Sequence, residues 1–192
     1  MRNAEATREL ILNAAMDEFS AFGIAGARVE RIAKNAGCNK NLIYVYFENK
    51  ETLFNTVLQK HRDRAFEDIP FTPNDLPGYA VSVFNFAMTH PQLMRLMMWS
   101  NLEHQAVNSS QRETLHEQKV QAISNAQSSG HVGSTMLPGI LLTYVMTLAT
   151  AWTATNPFGP SLEPEALKNV EVLKESIIRA VTLMTETKRA KD

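Results

Sequence analysis

Three neighbouring polar side chains, Lys40, Asn41 and Tyr44, could contact a nucleic acid if they lie on one face of a helix. Lysine can donate hydrogen bonds to the acceptor atoms of guanine, and asparagine can pair with adenine through two hydrogen bonds. A tyrosine hydroxyl can reach a phosphate oxygen. Because residues three and four apart share a helix face, this spacing is compatible with direct readout of DNA.

Two short helical patterns joined by a tight turn would position these side chains. In the first, Val29 to Ala36, apolar residues recur at spacings of three and four, which predicts a helix. Gly37 is predicted to end that helix, since glycine accepts a positive φ without steric cost. Asn39 can cap the second helix, in which Ile43 and Phe47 face inward. The arrangement predicts a helix-turn-helix whose second helix can enter a major groove.

The segment AGCNKNLIYVYFENKETLF resembles the TetR (tetracycline-repressor-like) family of transcriptional regulators. The resemblance covers roughly Thr7 to Phe54. Its ordered residues are Ala36, Gly37, Tyr44, Tyr46, Phe47 and Lys50. The resemblance implies a DNA-binding regulator, usually a repressor, and similar roles for the matching positions. The predicted DNA-contacting set is Arg28, Asn39, Lys40, Asn41, Tyr44, Tyr46 and Lys50.

The outer members of this set suit the phosphate backbone. Tyr46 can reach a phosphate, and Lys50 stands in the first turn of the next helix, where its ammonium can join backbone N–H groups at a phosphate. Arg28 occupies a position where the family usually has a capping Thr or Ser, so a cap is exchanged for a cation near the DNA backbone. The alternative is a small structural hairpin whose polar residues are only solvated.

Composition narrows the class of protein. The chain has 192 residues and a net charge of −1, with 44% apolar and 20% charged residues, as in an ordinary globular protein. Residues 1–64 hold ten Lys and Arg against eight Asp and Glu, and the remainder hold nine against twelve, so the N-terminal part is slightly the more basic. Cys38 is the only cysteine, which excludes an internal disulfide and a cysteine-rich zinc site. We find no Gly-rich phosphate loop, Gly-x-Ser-x-Gly elbow or His-Glu-x-x-His motif, so we do not expect an enzyme.

Targeting signals are not evident in the sequence. The stretch MRNAEATREL contains acidic residues and has no apolar core, which argues against a signal peptide. Met136 to Ala154 contains no charged residue and is about as long as a membrane span requires. Its threonines, its Pro-Gly pair and the absence of flanking basic clusters favour a buried helix instead. We therefore expect a cytoplasmic protein.

The periodic segments predict an all-α fold of about nine helices. An N-terminal three-helix part, residues 1–50, would bind DNA, and a larger helical part, residues 51–192, would bind a ligand and form the dimer. A long helix after Lys50 leads to the proline-rich loop IPFTPNDLPG and is the expected mechanical link between the two parts.

Aromatic and methionine side chains suggest an apolar ligand site in the larger part, because methionine adapts to irregular shapes. The predicted ligand-binding residues are Phe84, Met88, Met98, Trp99 and His104. The alternative is that the apolar stripe is plain core. His90, His104 and His116 lack the i, i+4 spacing of helical metal ligands, so neither a metal nor another cofactor is expected.

The last two apolar helices carry wide hydrophobic faces, which favours their use in a homodimer. In the resembled family the corresponding helices form a four-helix interface. The residues predicted at the interface are Leu141, Tyr144, Leu148, Trp152, Leu173, Ile177 and Val181. The alternative places both helices within one subunit's core. A dimer would set two recognition helices about 34 Å apart to read a palindrome.

Together these observations predict a homodimeric regulator that binds a palindromic operator and is released by a small apolar effector. Two alternatives remain: a DNA-binding dimer with no effector, and a helical protein-interaction module. The last would show no salt-dependent affinity for DNA.

Overall fold

The computed structural model of the chain describes residues 4–103 and 109–187. These residues form ten α-helices and one short 3-10 helix and contain no β-strand, which confirms the predicted all-α fold. The α-helices are α1 Ala4–Gly26, α2 Val29–Ala36, α3 Lys40–Phe47, α4 Lys50–Asp68, α5 Leu76–Thr89, α6 Pro91–Leu102, α7 Ser109–Ser128, α8 Pro138–Thr150, α9 Gly159–Leu162 and α10 Val170–Thr185. The 3-10 helix spans Pro164–Lys168. The 3-10 helix and the four-residue α9 lie largely in the stretch NPFGPSLEPE, whose prolines and glycine predict a loop.

The helices group into two compact units. The first comprises residues up to 66 together with 90–107, and therefore includes α1, α2, α3, most of α4, and α6. The second comprises 67–89 and the residues from 108 onward, with α5 and α7 to α10. The boundary predicted at residue 50 separates a DNA-binding part from a ligand-binding part, which is a division by function and not by compactness. That boundary stays a prediction.

The first unit provides the hydrophobic base on which α2 and α3 lie. The ring of Phe19 in α1 meets the ring of Phe54 in α4 edge to face, with centroids 5.2 Å apart. The same unit buries further apolar side chains from five helices: Ile11, Leu12, Ile32, Ile43, Leu53, Leu93 and Leu96. Isolated helices as short as α2 and α3 are marginal in water, so this shared core is what holds their shape.

The first helix differs from the prediction at its end. The apolar periodicity predicts a helix from Thr7 to about Phe22 that Gly23 ends, but the helix continues to Gly26 across a kink at Gly23, where φ is 66° and ψ is −174°. The same periodicity places Leu10 and Phe22 on the buried stripe, whereas both are exposed. Phe22 lies beneath the guanidinium of Arg31, 4.4 Å from the ring centroid, so its apolar surface is covered by a cation instead of by the core.

The second unit has its own core between α5, α8 and α10. Its buried residues include Phe84, Leu141, Val145, Ile177 and Val181. At one edge the ring of Phe71 meets that of Tyr79 at 4.9 Å, and the ammonium of Lys119 donates a hydrogen bond to the Tyr79 hydroxyl at 2.8 Å.

The uncharged stretch near residue 140 forms α8, which is thirteen residues long. Within the described parts of the chain, no helix combines the length and apolar character that crossing a membrane requires.

Candidate functional site

A buried carboxylate fixes α2 against α1. The apolar stripe of the first helix predicts that Glu18 faces solvent, yet this side chain is only 4% exposed. Its Oε1 accepts hydrogen bonds from the backbone N–H of Arg28 and from Nε of Arg31, both at 2.8 Å. The Arg31 side chain also donates to the carbonyl of Gly26 at 3.1 Å. Because Arg28 has no side-chain cap to offer, Glu18 takes over the task of satisfying the start of α2.

The charge state of Glu18 follows from these partners. Burial by itself raises the pKa of this carboxyl, but the hydrogen bonds from Arg31 and from the Arg28 backbone outweigh that effect and leave the pKa below its ordinary value. The carboxylate is therefore ionised at neutral pH, and its ion pair with Arg31 holds the entry to the helix-turn-helix.

The turn between α2 and α3 has the predicted chemistry. Gly37 adopts a left-handed conformation, with φ 64° and ψ 35°. The N–H of Gly37 donates to the carbonyl of Lys34 and that of Cys38 to the carbonyl of Ala33, the pattern of a glycine-terminated helix. Asn39 then caps α3, since its Oδ1 accepts the N–H of Asn41 at 2.8 Å. The turn is thus fixed by local hydrogen bonds.

The outward face of α3 is the candidate DNA-reading surface. Ile43 and Phe47 are buried, as predicted, which turns Asn41, Tyr44 and Val45 outward. Positions three and four apart on a helix are neighbours, so these three side chains form one patch. Tyr44 is 41% exposed and Val45 76% exposed.

Lys40, at the start of α3, has an intramolecular partner. Its ammonium forms an ion pair with Glu30 of α2 at 2.5 Å and lies 5.8 Å from the ring centroid of Tyr44. The hydrogen bond to Lys40 lowers the pKa of the Glu30 carboxyl, and the same bond raises the pKa of Lys40. Lys40 is therefore charged but engaged, and it must leave Glu30 to donate to a base.

Two other predicted contact residues also have partners within the chain. The Tyr46 hydroxyl donates to the carbonyl of Ala4 at 3.3 Å, which ties α3 to the start of α1. The Lys50 ammonium donates to the carbonyl of Ala27 at 3.3 Å. Both side chains are half-buried, so they hold the helix-turn-helix together as well as lying near its surface. Arg28 is exposed, and its side chain does not cap α2.

Two residues that sequence reasoning missed belong to this unit. Val45 is not in the predicted DNA-contacting set because it is apolar. The inward positions of Ile43 and Phe47 nevertheless imply that residue 45 lies on the outward face of α3. Glu103, at the end of α6, accepts hydrogen bonds from the backbone N–H groups of Ile24 at 3.0 Å and Ala25 at 3.4 Å. These N–H groups are left free by the kink at Gly23, and a partner 79 positions away in sequence leaves no local signal.

The predicted ligand-binding residues are divided between the two units. Phe84 is buried in the core of the second unit, and Met88 packs against that core. Met98 and Trp99 belong to the first unit, where Met98 is exposed and the indole of Trp99 lies against Gly23 of α1. His104 lies outside the described residues.

A groove in the second unit contains none of these five residues. It encloses about 820 Å³ and is lined mainly by threonines near the end of α10, together with His131, Leu183 and Glu186. Phe84, Met88, Met98 and Trp99 do not line this groove, and the predicted ligand set stays a prediction.

The predicted interface residues divide by burial. Leu141, Leu173, Ile177 and Val181 are at most 3% exposed and pack into the core of their own chain. These four side chains therefore contribute to the core of their own chain, and their place in a dimer interface stays a prediction. Leu148 and Trp152 are partly buried against the same core. Of the seven, Tyr144 is on the surface, at 49% exposure.

The described residues offer little support for a metal site or for a reactive cysteine. Among the described residues, no group of three or more His, Cys, Asp or Glu side chains is placed to hold a metal ion. Burial raises the pKa of the Cys38 thiol, which keeps it protonated and a poor nucleophile at neutral pH.

Comparison with known proteins agrees with this geometry. Residues 11–57 match the family described as "Bacterial regulatory proteins, tetR family", and residues 75–182 match "Tetracyclin repressor-like, C-terminal domain". The chain is 33% identical over 159 residues to the HTH-type transcriptional repressor SCO4008 of Streptomyces coelicolor, covering 81% of this chain and 82% of that protein.

Two further similarities extend the comparison. The chain is 44% identical over 62 residues to the HTH-type transcriptional regulator RutR of Escherichia coli, covering 32% of this chain and 29% of that protein. The crystal structure of SCO4942 from Streptomyces coelicolor superposes with a TM-score of 0.80 at 30% identity, over 93% of this chain and 98% of that one. The chain therefore belongs to the TetR family, and it is a DNA-binding transcriptional regulator.

Proposed function

We propose that this regulator is a homodimeric repressor that binds a palindromic operator through α3 and is released by a small apolar effector. The observation that carries the proposal is the outward patch of Asn41, Tyr44 and Val45, held rigidly by the buried Ile43 and Phe47. A short helix with a capped start and a buried inner face can project such side chains into a major groove without further ordering.

Some of the polar residues would contact bases, and the others would contact the phosphate backbone. Asn41 offers an amide to adenine, and Lys40 can donate to guanine once it leaves Glu30. Tyr44 would contact a phosphate at the groove edge. The four remaining members of the set would position the protein on the phosphate backbone. These members are Arg28, Asn39, Tyr46 and Lys50.

A dimer would use the exposed apolar surface of α8 and α10. On α8, Ile140 and Tyr144 are one turn apart and exposed. On α10, Val172 and Leu183 are three turns apart on one face and are also exposed. Burying such side chains in a symmetric contact supplies the driving force for association. The interface would thus involve the two helices predicted, but chiefly their outward residues.

Repression is proposed from the relatives. SCO4008 is named a transcriptional repressor, as is NicS of Pseudomonas putida, to which the chain is 29% identical over 130 residues. A dimer bound at a promoter blocks transcription by occupancy. The protein would act in the cytoplasm, where the DNA is.

For the effector, we propose the edge of the second unit's core, against which both Met88 and Trp152 pack. Met88 is adaptable and only partly buried there, and the indole N–H of Trp152 is buried with no acceptor among the described residues. An apolar ligand with one acceptor atom would satisfy that donor. α4 is continuous across residues 66 and 67, where the two units divide. A shift of α4 on ligand binding in the second unit would therefore change the position of the helix-turn-helix in the first unit.

Selection from a pool of random duplexes tests the DNA-binding part of the proposal. The wild-type protein should enrich a palindrome, and the double variant Lys40→Ala with Tyr44→Ala should not. If the folded wild-type dimer enriches no sequence, the proposed function is overturned and an interaction module becomes the better reading.

A screen of apolar compounds by melting temperature tests the effector. A compound that raises the melting temperature should also weaken operator binding, by linkage. If none of a diverse set changes either quantity, the dimer acts without an effector.

A further inference from the structure

Val45 carries the most exposed large apolar side chain on α3, at 76% exposure. It lies one turn after Asn41 and next to Tyr44, so its isopropyl group is part of the outward patch. The patch therefore combines an amide, a phenol and a purely apolar group.

Folding does not account for valine at this position. A β-branched side chain has a lower helix propensity than alanine or leucine, and an exposed one gains no burial in return. Single exposed apolar residues are common on protein surfaces. What distinguishes Val45 is that it lies one turn from Asn41, the residue of the patch that would face a base edge.

The major groove offers one kind of apolar group, the C5-methyl of thymine. At other bases in this groove an isopropyl group would cover donor or acceptor atoms and leave them without water, which costs affinity. We propose that Val45 packs against the methyl group of a thymine in each half-site and thereby selects thymine at that position. This inference rests on the proposed function, since it requires α3 to lie in the groove.

Helix geometry limits where that thymine lies. Asn41 and Val45 are four residues apart, which is about 6 Å along the helix axis. Successive base pairs are about 3.4 Å apart. The thymine should therefore lie within about two base pairs of the base contacted by Asn41.

Replacing thymine with deoxyuridine removes only the methyl group, which makes it a sharp probe. Starting from the palindrome that the wild-type protein selects, each thymine is replaced by deoxyuridine in both half-sites at once. Dissociation constants are then measured for the wild type, Val45→Ala and Val45→Ile. Because Val45 is exposed, neither variant should unfold the protein, and the melting temperatures of the three proteins serve as the control.

At one symmetric position, deoxyuridine should weaken wild-type binding about fourfold per half-site, or about fifteenfold for both, the effect of removing one buried methyl contact. Val45→Ala should lose most of that dependence, whereas Val45→Ile should keep it. Thymines elsewhere in the site should affect wild type and Val45→Ala equally.

The inference is overturned if no thymine position distinguishes wild type from Val45→Ala, or if the selected palindrome contains no thymine near the base read by Asn41. Those results leave DNA binding intact. If the wild type selects no palindrome at all, the proposed function fails first and the inference fails with it.

Discussion

At the scale of single residues, charge placement explains how the helix-turn-helix is both anchored and restrained. Glu18 is ionised and buried, and it joins α1 to α2 through Arg28 and Arg31. Glu30 holds Lys40 on the outward side of the same unit. The first carboxylate stabilises the fold, whereas the second would compete with DNA for the Lys40 ammonium.

Glu18→Gln should destabilise the protein by about 1–3 kcal/mol, because a neutral amide replaces an acceptor of charge-assisted hydrogen bonds. Asp17→Asn, at the exposed neighbouring position, should stay within about 0.5 kcal/mol of wild type. Chemical denaturation of the three proteins measures the difference. Equal stabilities would show that the buried pair contributes nothing.

The same pair makes a pH prediction. The pKa of Glu18 is lowered in the folded protein, so its stabilisation is fully present above the ordinary value of 4.5 and is lost as pH falls towards the folded pKa. The gap in unfolding free energy between wild type and Glu18→Gln should therefore be constant near neutrality and shrink in acid. A gap that widens in acid would contradict the lowered pKa.

Glu30→Gln should tighten operator binding, by up to about fivefold, because it frees Lys40 and removes a negative charge beside the DNA. Glu171→Gln is the matched control, since Glu171 also pairs with a lysine, Lys174, but lies on α10. Titration of operator DNA at fixed salt compares them. Equal effects from both variants would attribute the gain to net charge alone.

At the scale of elements, the kink in α1 is the feature that shapes the first unit. Gly23 has a positive φ, Trp99 packs against it, and Glu103 accepts the N–H groups that the kink releases. α6 is thereby fastened to α1 within the DNA-reading unit. Two of these three groups come from a helix far away in the sequence.

Gly23→Ala should cost more stability than Gly37→Ala, although φ is nearly the same at the two glycines, 66° and 64°. A Cβ at Gly23 would come closest to Oε1 of Glu103 and would also lie 2.8 Å from the Trp99 ring, while one at Gly37 meets nothing within 4 Å. We expect about 1–2 kcal/mol at Gly37 from backbone strain and about 1–3 kcal/mol more at Gly23 from overpacking. Similar losses of unfolding free energy at both positions would show that Trp99 and Glu103 can move aside to accommodate the added methyl group.

Sequence reasoning succeeded where the determinants are local. The turn at Gly37, the Asn39 cap and the inward Ile43 and Phe47 depend on neighbours within four residues, and the structure has them as predicted. It failed where a distant partner decides the outcome. Nothing near Glu18 in the sequence signals its burial, because Arg31 becomes its partner only after α2 folds back.

At the scale of the whole molecule, the exposed apolar residues of α8 and α10 indicate which surface a second copy of the chain could bury. Helical periodicity could place Leu141 and Ile177 on apolar stripes, but could not say whether those stripes face their own core or a partner. The structure places them in the core of the second unit. In the proposed dimer, the outward residues of the same helices, such as Tyr144, would contact the second copy.

Tyr144→Glu should weaken dimerisation by at least about tenfold, because it places a charge in an interface that must exclude water. Met146→Glu is the control on the same helix, since Met146 is also exposed, at 36%, but points about 200° further round. Sedimentation across a concentration series measures both. Dissociation by the Met146 variant alone would move the interface to the other face of α8.

The most direct test of DNA reading by α3 is the affinity for the selected palindrome against a scrambled duplex, measured over a series of salt concentrations. The wild type should prefer the palindrome by at least about 10³-fold at physiological salt, with log affinity falling linearly with log salt. Asn41→Ala with Tyr44→Ala should lose most of that preference and nearly keep the salt slope. Equal binding of both duplexes by the wild type, or an unchanged preference in the double variant, would contradict the account.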